Sequence, residues 1–325
     1  MLYSLIFQPI FKERVWGGRS LARLYGKKLP PKVPIGESWE ISDRHGDASV
    51  IANGPLAGQT LQWLMEEHAG DLLGPAKSQR GRFPLLVKIL DAQKTLSLQV
   101  HPPTRNAAEL GGEPKTEMWY IADAAPSAEL FVGLKRGVTQ ADFERKLRGG
   151  SVADCFHRVP VRSGDAMFLP SGRVHAIGAG LVIFEIQQNS DTTYRVFDWN
   201  RVGLDGAPRE LHVTQSLASI DFNDFEPGLL RGAFSGGHPV EIRPLVRDPL
   251  FAVEVLRMAA GAVVSLKPRA LQIVACVSGN LSVEGSAIAI ERSPGELCLV
   301  PASLPAVTLR ARTAATLLRV EAGSG

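Results

Sequence analysis

Short runs of alternating hydrophobic and polar residues recur along the chain, and glycine or proline bounds most of them. In residues 96–101 the even-numbered positions are apolar and the odd-numbered positions are polar. This period of two predicts a β-strand whose apolar face belongs to a core, with Gln99 and His101 together on the other face. Pro102 and Pro103 end the strand because neither can donate to a strand ladder.

A second alternating run, residues 115–121, places Lys115, Glu117 and Trp119 on one face of a predicted strand. A third run, residues 164–175, reads as a strand, a Pro-x-Gly turn and then His175.

Together these runs supply two imidazoles, one carboxylate and one amide, from His101, His175, Glu117 and Gln99. Such a nitrogen and oxygen ligand set suits Zn²⁺ or a neighbouring divalent ion, with room for water or substrate.

Helical patterns are few and short. Thr60 caps a predicted helix over residues 61–68 that Gly70 ends, and Thr139 opens one that Gly149 stops. A third amphipathic helix is predicted over residues 208–220.

The stretches around glycines near the N-terminus are predicted to be loops, namely residues 16–18 and 36–39. Their tryptophans either line a pocket or pack in the core. Residues 221–240 are polar and glycine-rich and are interpreted as a linker.

Composition adds to this picture. The 32 glycines and 22 prolines favour many short strands, and 325 residues suffice for two modest domains or one large one. The net charge is only +3 and no Lys/Arg run exceeds two residues, which argues against a nucleic-acid partner or a membrane surface. No apolar run approaches membrane-spanning length, and no signal peptide is recognised.

The three cysteines, Cys155, Cys276 and Cys298, are far apart and show no CxxC spacing. A disulfide framework is therefore not expected, and a reducing cytoplasm is the expected location.

The spacing of Gly164, Pro170, Gly172 and His175 resembles the second cupin motif. The pair Gln99 and His101 resembles the first motif only loosely, since many cupins have His-x-His there. This departure is similar to the short bacterial form of the type I mannose-6-phosphate isomerases, whose signature is a Gln-x-His-Pro strand followed by Lys-x-Glu-x-Trp-Tyr. Other stretches resemble the same family: residues 11–18, 36–39 and 192–199.

The resemblance implies a mainly β fold with two cupin jelly-roll β-barrels, a few short helices and a metal site in the first barrel only. Residues 1–230 would form the metal-binding catalytic domain and residues 231–325 a cupin-like domain. The second unit repeats Gly-x5-Pro at residues 295–301, but Ser303 and Ala306 stand where the first has Gly172 and His175. It therefore lacks the ligand.

The family's reaction is the interconversion of mannose 6-phosphate and fructose 6-phosphate, by proton transfer between C1 and C2 through an enediol-like intermediate. The resemblance implies one Zn²⁺ per chain and a small sugar phosphate as partner. Arg195, Lys115 and Asp191 are the expected catalytic residues. Lys88 and Trp16 are expected to bind substrate. We expect desolvation and the neighbouring metal to lower the pKa of Lys115.

Two other interpretations remain open. One is a non-catalytic zinc cupin that binds a sugar phosphate as a sensor. The other is a different cupin enzyme, such as another sugar-phosphate isomerase or an iron-dependent dioxygenase. The sequence does not distinguish Zn²⁺ from Mn²⁺ or Co²⁺, and it does not predict the oligomeric state, the pathway direction or the acceptance of other aldoses.

Overall fold

The computed structural model describes residues 2–285 and 289–323, and strands dominate them, as the mainly β prediction requires. The strands of the first part are β1 Ile10–Gly18, β2 Ile35–Ile41, β3 Asp43–Arg44, β4 Asp47–Ala48, β5 Leu85–Ala92, β6 Leu98–Val100, β7 Glu117–Ala124, β8 Glu129–Leu134, β9 Phe156–Pro160, β10 Ala166–Leu169, β11 His175–Ile177, β12 Leu181–Gln188 and β13 Tyr194–Phe197. Those of the second part are β14 Ser235–Gly237, β15 Val240–Arg247, β16 Phe251–Met258, β17 Val263–Leu266, β18 Gln272–Ser278, β19 Leu281–Glu284, β20 Ile290–Arg292, β21 Leu297–Val300, β22 Val307–Ala311 and β23 Ala315–Ala322.

The helices are short. They are α1 Ser20–Tyr25, α2 Leu61–Glu67, α3 Ala69–Leu73, α4 Gln140–Arg148 and α5 Val213–Ser219, with a 3-10 helix at Val152–Cys155. Within the described ranges, no helix is long and apolar enough to cross a membrane.

Two antiparallel sheets form the first part of the molecule. A six-stranded sheet has the order β1-β2-β5-β12-β7-β10, and a five-stranded sheet has the order β13-β6-β11-β8-β9. One hydrophobic cluster takes side chains from both sheets, for example Ile183 and Trp119 from the first and Val132 and Ile177 from the second. The two sheets therefore face each other across a common core.

The second part repeats this arrangement with a six-stranded sheet, β14-β15-β16-β23-β18-β21, and a four-stranded sheet, β17-β22-β19-β20. Its core includes Leu256 and Val274 from the larger sheet and Leu309 from the smaller one. No sheet of the described residues closes on itself. The described residues thus form two pairs of open facing sheets, and the assignment of each pair to a cupin barrel stays a prediction.

The two six-stranded sheets also pack against each other through their outer faces. A single cluster joins Val87 and Phe184 of the first sheet with Val253 and Leu318 of the second. Strand β5 is therefore buried on both faces, which explains why its sequence is almost continuously apolar.

The local predictions had mixed outcomes. The capping box at Thr139 is present and α4 ends at Gly149 as predicted. The helix predicted over residues 208–220 is confined to α5, and a second helix, α3, follows α2 where an end was predicted at Gly70. The loop predictions for residues 16–18 and 36–39 were wrong, because these residues belong to the paired strands β1 and β2.

Candidate metal centre and active site

The two facing sheets bring the four predicted ligands together from three separate stretches of the chain. Gln99 lies on β6 directly opposite His175, the first residue of β11, and their Nε2 atoms are 3.3 Å apart. His101 follows β6 by one residue, and Glu117 begins β7 in the other sheet. The paired strands thus direct these side chains toward one point between the sheets.

The side chains of His101, Glu117 and His175 form a buried cluster in which one ligand atom from each lies within 4.8 Å of the others. Glu117 Oε1 is 3.4 Å from His175 Nε2, and Oε2 is 3.5 Å from His101 Nε2. Among the described residues, neither carboxylate oxygen accepts a hydrogen bond of acceptable geometry. A buried carboxylate requires a nearby cation, and Lys115 supplies one here.

The Nδ1 atom of each imidazole is hydrogen-bonded to a backbone carbonyl. His101 Nδ1 is 2.8 Å from Thr192 O, and His175 Nδ1 is 2.9 Å from Arg173 O. Carbonyls only accept, so Nδ1 carries the proton and the Nε2 lone pairs face the cluster. Burial lowers the pKa of both rings, that of His175 to about 3, which keeps them neutral as a metal requires.

Lys115 places an ammonium group beside the same cluster, with Nζ 2.7 Å from Glu117 Oε2 and 3.2 Å from His101 Nε2. Burial lowers the pKa of Lys115, but the charges of Glu117 and Glu185 raise it by more. The pKa of Lys115 is therefore raised in the protein without a metal ion, and the expected lowering beside a bound metal stays a prediction. Lys115 is a cation here, and its contacts show that the cluster accepts positive charge.

A cavity of about 600 Å³ adjoins the cluster. Gln99 and Lys115 line it, and so do the other residues for which the sequence predicted a catalytic or substrate-binding role: Trp16, Lys88, Asp191 and Arg195. The structure therefore brings all nine predicted site residues to one region, six of them around the cavity and three in the buried cluster.

Lys88 is buried, and its Nζ faces three carboxylates at 3.5 Å from Glu185, 3.7 Å from Glu37 and 3.8 Å from Asp191. Its ammonium group therefore lies inside the protein. Trp16 is 4% exposed and belongs to the core between the sheets, so it packs and lines the cavity at once.

Arg195 lies opposite Gln99 on the neighbouring strand, and its Nη1 donates to Glu210 O at 2.8 Å. Its buried Nε has no hydrogen-bond partner in the described part of the chain. Burial lowers the pKa of Arg195, and the nearby Arg209 lowers it further. The Nε–H group of Arg195 is thus available to donate to a ligand. Asp191, with half of its side chain exposed, lies at the rim.

Glu185 is a site residue that the sequence analysis missed. It is buried in β12 and lines the cavity, and Trp119 Nε1 donates to its Oε1 at 3.0 Å. Burial raises the pKa of Glu185, although Lys115 and Lys88 oppose the rise. A sequence signal for Glu185 exists, because a carboxylate within the apolar run 181–188 is unusual, as is Lys88 within residues 83–91.

Comparisons with known proteins find relatives that match most of the chain. The family model described as "Phosphomannose isomerase type I, catalytic domain" matches residues 5–146. The mannose-6-phosphate isomerase ManA of Bacillus subtilis is 42% identical over 219 residues, covering 67% of this chain and 68% of the relative. The mannose-6-phosphate isomerase of Streptococcus mutans is 37% identical over 254 residues, covering 78% of each chain.

A solved structure extends the similarity over nearly the full length. The crystal structure of the mannose 6-phosphate isomerase from Bacillus subtilis superposes with a TM-score of 0.90 at 30% identity, covering 98% of this chain and 100% of that one. The chain therefore belongs to the type I phosphomannose isomerase family, a family of enzymes.

Proposed function

We propose that this chain is a metal-dependent aldose-ketose isomerase that interconverts mannose 6-phosphate and fructose 6-phosphate. One observation carries the proposal: a buried carboxylate, that of Glu117, lies between two neutral imidazoles and beside a cavity lined with lysine and arginine. The activity named for the relatives supports the choice of substrate.

Gln99, His101, Glu117 and His175 are proposed to hold one Zn²⁺. The donor set fits the ion because both Nδ1 atoms donate to backbone carbonyls, which directs the Nε2 lone pairs toward Glu117. In the described residues the Glu117 oxygens accept no hydrogen bond of acceptable geometry, and the Gln99 amide lies beside His175. When bound, the ion would supply a Lewis acid for the sugar oxygens on which negative charge develops.

The cations of the cavity are proposed to bind and stabilise the anionic substrate. Lys115 and Arg195 flank the ligand cluster and would stabilise the charge that develops during enediol formation. Lys88 and Trp16 would hold the sugar phosphate against the inner wall of the cavity.

Proton transfer between C1 and C2 requires a carboxylate or another base near the cavity. Asp191 keeps its place as a proposed proton carrier, because it lines the cavity and half of its side chain is exposed. Glu185 is a second proposed carrier, because it lines the same cavity and burial raises the pKa of its carboxyl group.

Each pair of facing sheets is proposed to be one cupin unit, with residues 1–230 catalytic and residues 231–325 lacking a metal site. The ligand cluster lies between the first pair of sheets, and Ser303 and Ala306 stand at the corresponding places of the second. We also propose a cytoplasmic location, which suits three buried free cysteines.

A coupled assay with mannose 6-phosphate tests the function. The protein would be assayed as purified, after chelation and after return of Zn²⁺, alongside His101→Ala and the matched control His157→Ala. His157 is a partly buried histidine on β9, outside the cluster.

We expect chelation to abolish turnover and Zn²⁺ to restore it. We expect His157→Ala to be active and His101→Ala to be inactive. One equivalent of bound metal without turnover would contradict the isomerase and favour a metal-binding sensor.

A further inference from the structure

Glu113 lies outside the cavity and the ligand cluster, and two arginines pair with its carboxylate. Arg44 Nη1 donates to Glu113 Oε2 at 2.6 Å, and Arg82 Nη2 contacts Oε1. The Glu113 side chain is 17% exposed. Arg44 also donates to Asn189 O at 2.9 Å. Three distant segments of the chain are thereby tied to the stretch that leads into Lys115 and Glu117.

The backbone of Glu113 connects this ion pair to a proposed metal ligand. Its N–H donates to Thr192 Oγ1 at 3.0 Å, and the carbonyl of Thr192 accepts from His101 Nδ1 at 2.8 Å. Ser190 Oγ donates to Glu113 O at 3.2 Å, so the two segments are joined twice. A continuous chain of contacts runs from the two arginines to the imidazole.

His101 depends on such a support because it follows the end of β6 and precedes two prolines. No strand ladder continues to set the orientation of its ring. The ring's tautomer and direction depend instead on the acceptor at Nδ1, which is the carbonyl of Thr192. Movement of Thr192 would turn the lone pair of Nε2 away from Glu117.

We propose that Arg44, Arg82, Glu113 and Thr192 form a clamp that fixes the tautomer and orientation of His101 and thereby sets the affinity of the site for a divalent cation. Glu113 and Thr192 are positioning residues, since neither side chain lines the cavity or belongs to the ligand cluster. The part that concerns affinity rests on the metal site of the proposed function, whereas the part that concerns the tautomer does not.

Four variants test the clamp. Thr192→Val removes the hydroxyl that accepts from Glu113, and Thr192→Ser keeps it. Glu113→Gln removes the charge that pairs with both arginines. The matched control is Glu284→Gln, because Glu284 lies near two arginines, 3.3 Å from Arg310 and 3.7 Å from Arg312, in the other pair of sheets.

Two measurements are made on each protein. The first is the tautomer of His101 in metal-free protein, from two-bond proton–nitrogen NMR correlations of the imidazole rings. The second is the dissociation constant of Zn²⁺, from competition with a chromophoric chelator. We expect the wild type, Thr192→Ser and Glu284→Gln to keep a proton on Nδ1 of His101. Thr192→Val and Glu113→Gln should show mixed tautomers and bind Zn²⁺ about 10-fold to 100-fold more weakly.

The outcomes separate the two proposals. An unchanged tautomer in Thr192→Val overturns the clamp, whatever the metal affinity. A mixed tautomer with unchanged Zn²⁺ affinity overturns the link to metal binding. If the wild type binds no divalent cation while the tautomer shifts in Thr192→Val, the metal centre fails and the positioning of His101 stands. The pair at Thr192 keeps the test decisive should Glu113→Gln fail to fold.

Discussion

The contacts of Glu37, near the cavity, make a large and pH-dependent contribution to the free energy of unfolding. Its carboxylate accepts from Arg14 Nε at 2.8 Å and from Trp39 Nε1 at 2.6 Å, and it lies 3.7 Å from Lys88 Nζ. Burial raises the pKa of Glu37, but Lys88, Arg14 and the hydrogen bonds lower it by more, from 4.5 to about 2. The Glu37 side chain is only 11% exposed, so solvent screens these charges little.

The size of the effect follows from linkage. A fall from 4.5 to about 2, at about 1.4 kcal/mol per pKa unit, corresponds to roughly 3 kcal/mol of folding free energy. Because the pKa is lower in the folded state, this stabilisation is complete above pH 4.5 and is lost as the pH falls toward 2. About 2 kcal/mol of it should be gone at pH 3.

The substitution Glu37→Gln isolates this contribution. We expect the variant to be less stable than the wild type by about 3 kcal/mol at pH 7 and by only about 1 kcal/mol at pH 3. Urea unfolding of metal-free protein at several pH values, followed by tryptophan fluorescence and far-ultraviolet circular dichroism together, measures the difference. The control Glu129→Gln breaks an exposed pair with Arg158 and should cost less than about 1 kcal/mol at every pH. A stability difference for Glu37→Gln that stays constant from pH 7 to pH 3 would refute the reasoning.

Three further substitutions test other parts of the account. Phe184→Ala empties a fully buried position in the core that joins the two six-stranded sheets, so unfolding by urea should require about 3–5 kcal/mol less, and a loss under 1 kcal/mol would contradict that packing. Thr139→Ala removes the N-cap of α4 and should cost about 1 kcal/mol by the same measurement, whereas no loss would show that the capping box contributes nothing. Glu185→Gln should lower kcat at least about 100-fold while Zn²⁺ binding stays as in the wild type, and unchanged kcat would remove Glu185 from proton transfer.

Alternation along strands was the reliable part of the sequence. It placed Gln99 and His101 on one face because the period of a strand is two, and the structure agrees. The glycine-rich strands β1 and β2 were mistaken for loops, since glycine also marks turns. Here glycine serves close approach: a Cβ on Gly17 would lie 2.3 Å from the backbone nitrogen of Gly36.

Electrostatics was the part that sequence alone did not supply. The pKa of Lys115 depends on Glu117, two residues away, but also on Glu185, which strand pairing brings near from 70 positions later in the chain. The clamp on His101 has the same origin, because Arg44, Glu113 and Thr192 are joined only by the fold. Local sequence patterns predicted which residues would lie together. The charge states of these residues depend on contacts that only the tertiary structure provides.

The most direct test of the central claim is a titration of metal-free protein with Zn²⁺ while turnover of mannose 6-phosphate is followed. We expect activity to rise linearly and to break at one equivalent per chain, because residues 2–285 and 289–323 contain one candidate ligand cluster, that of His101, Glu117 and His175. Full activity in the metal-free protein, or binding of one equivalent with no turnover, would contradict the account.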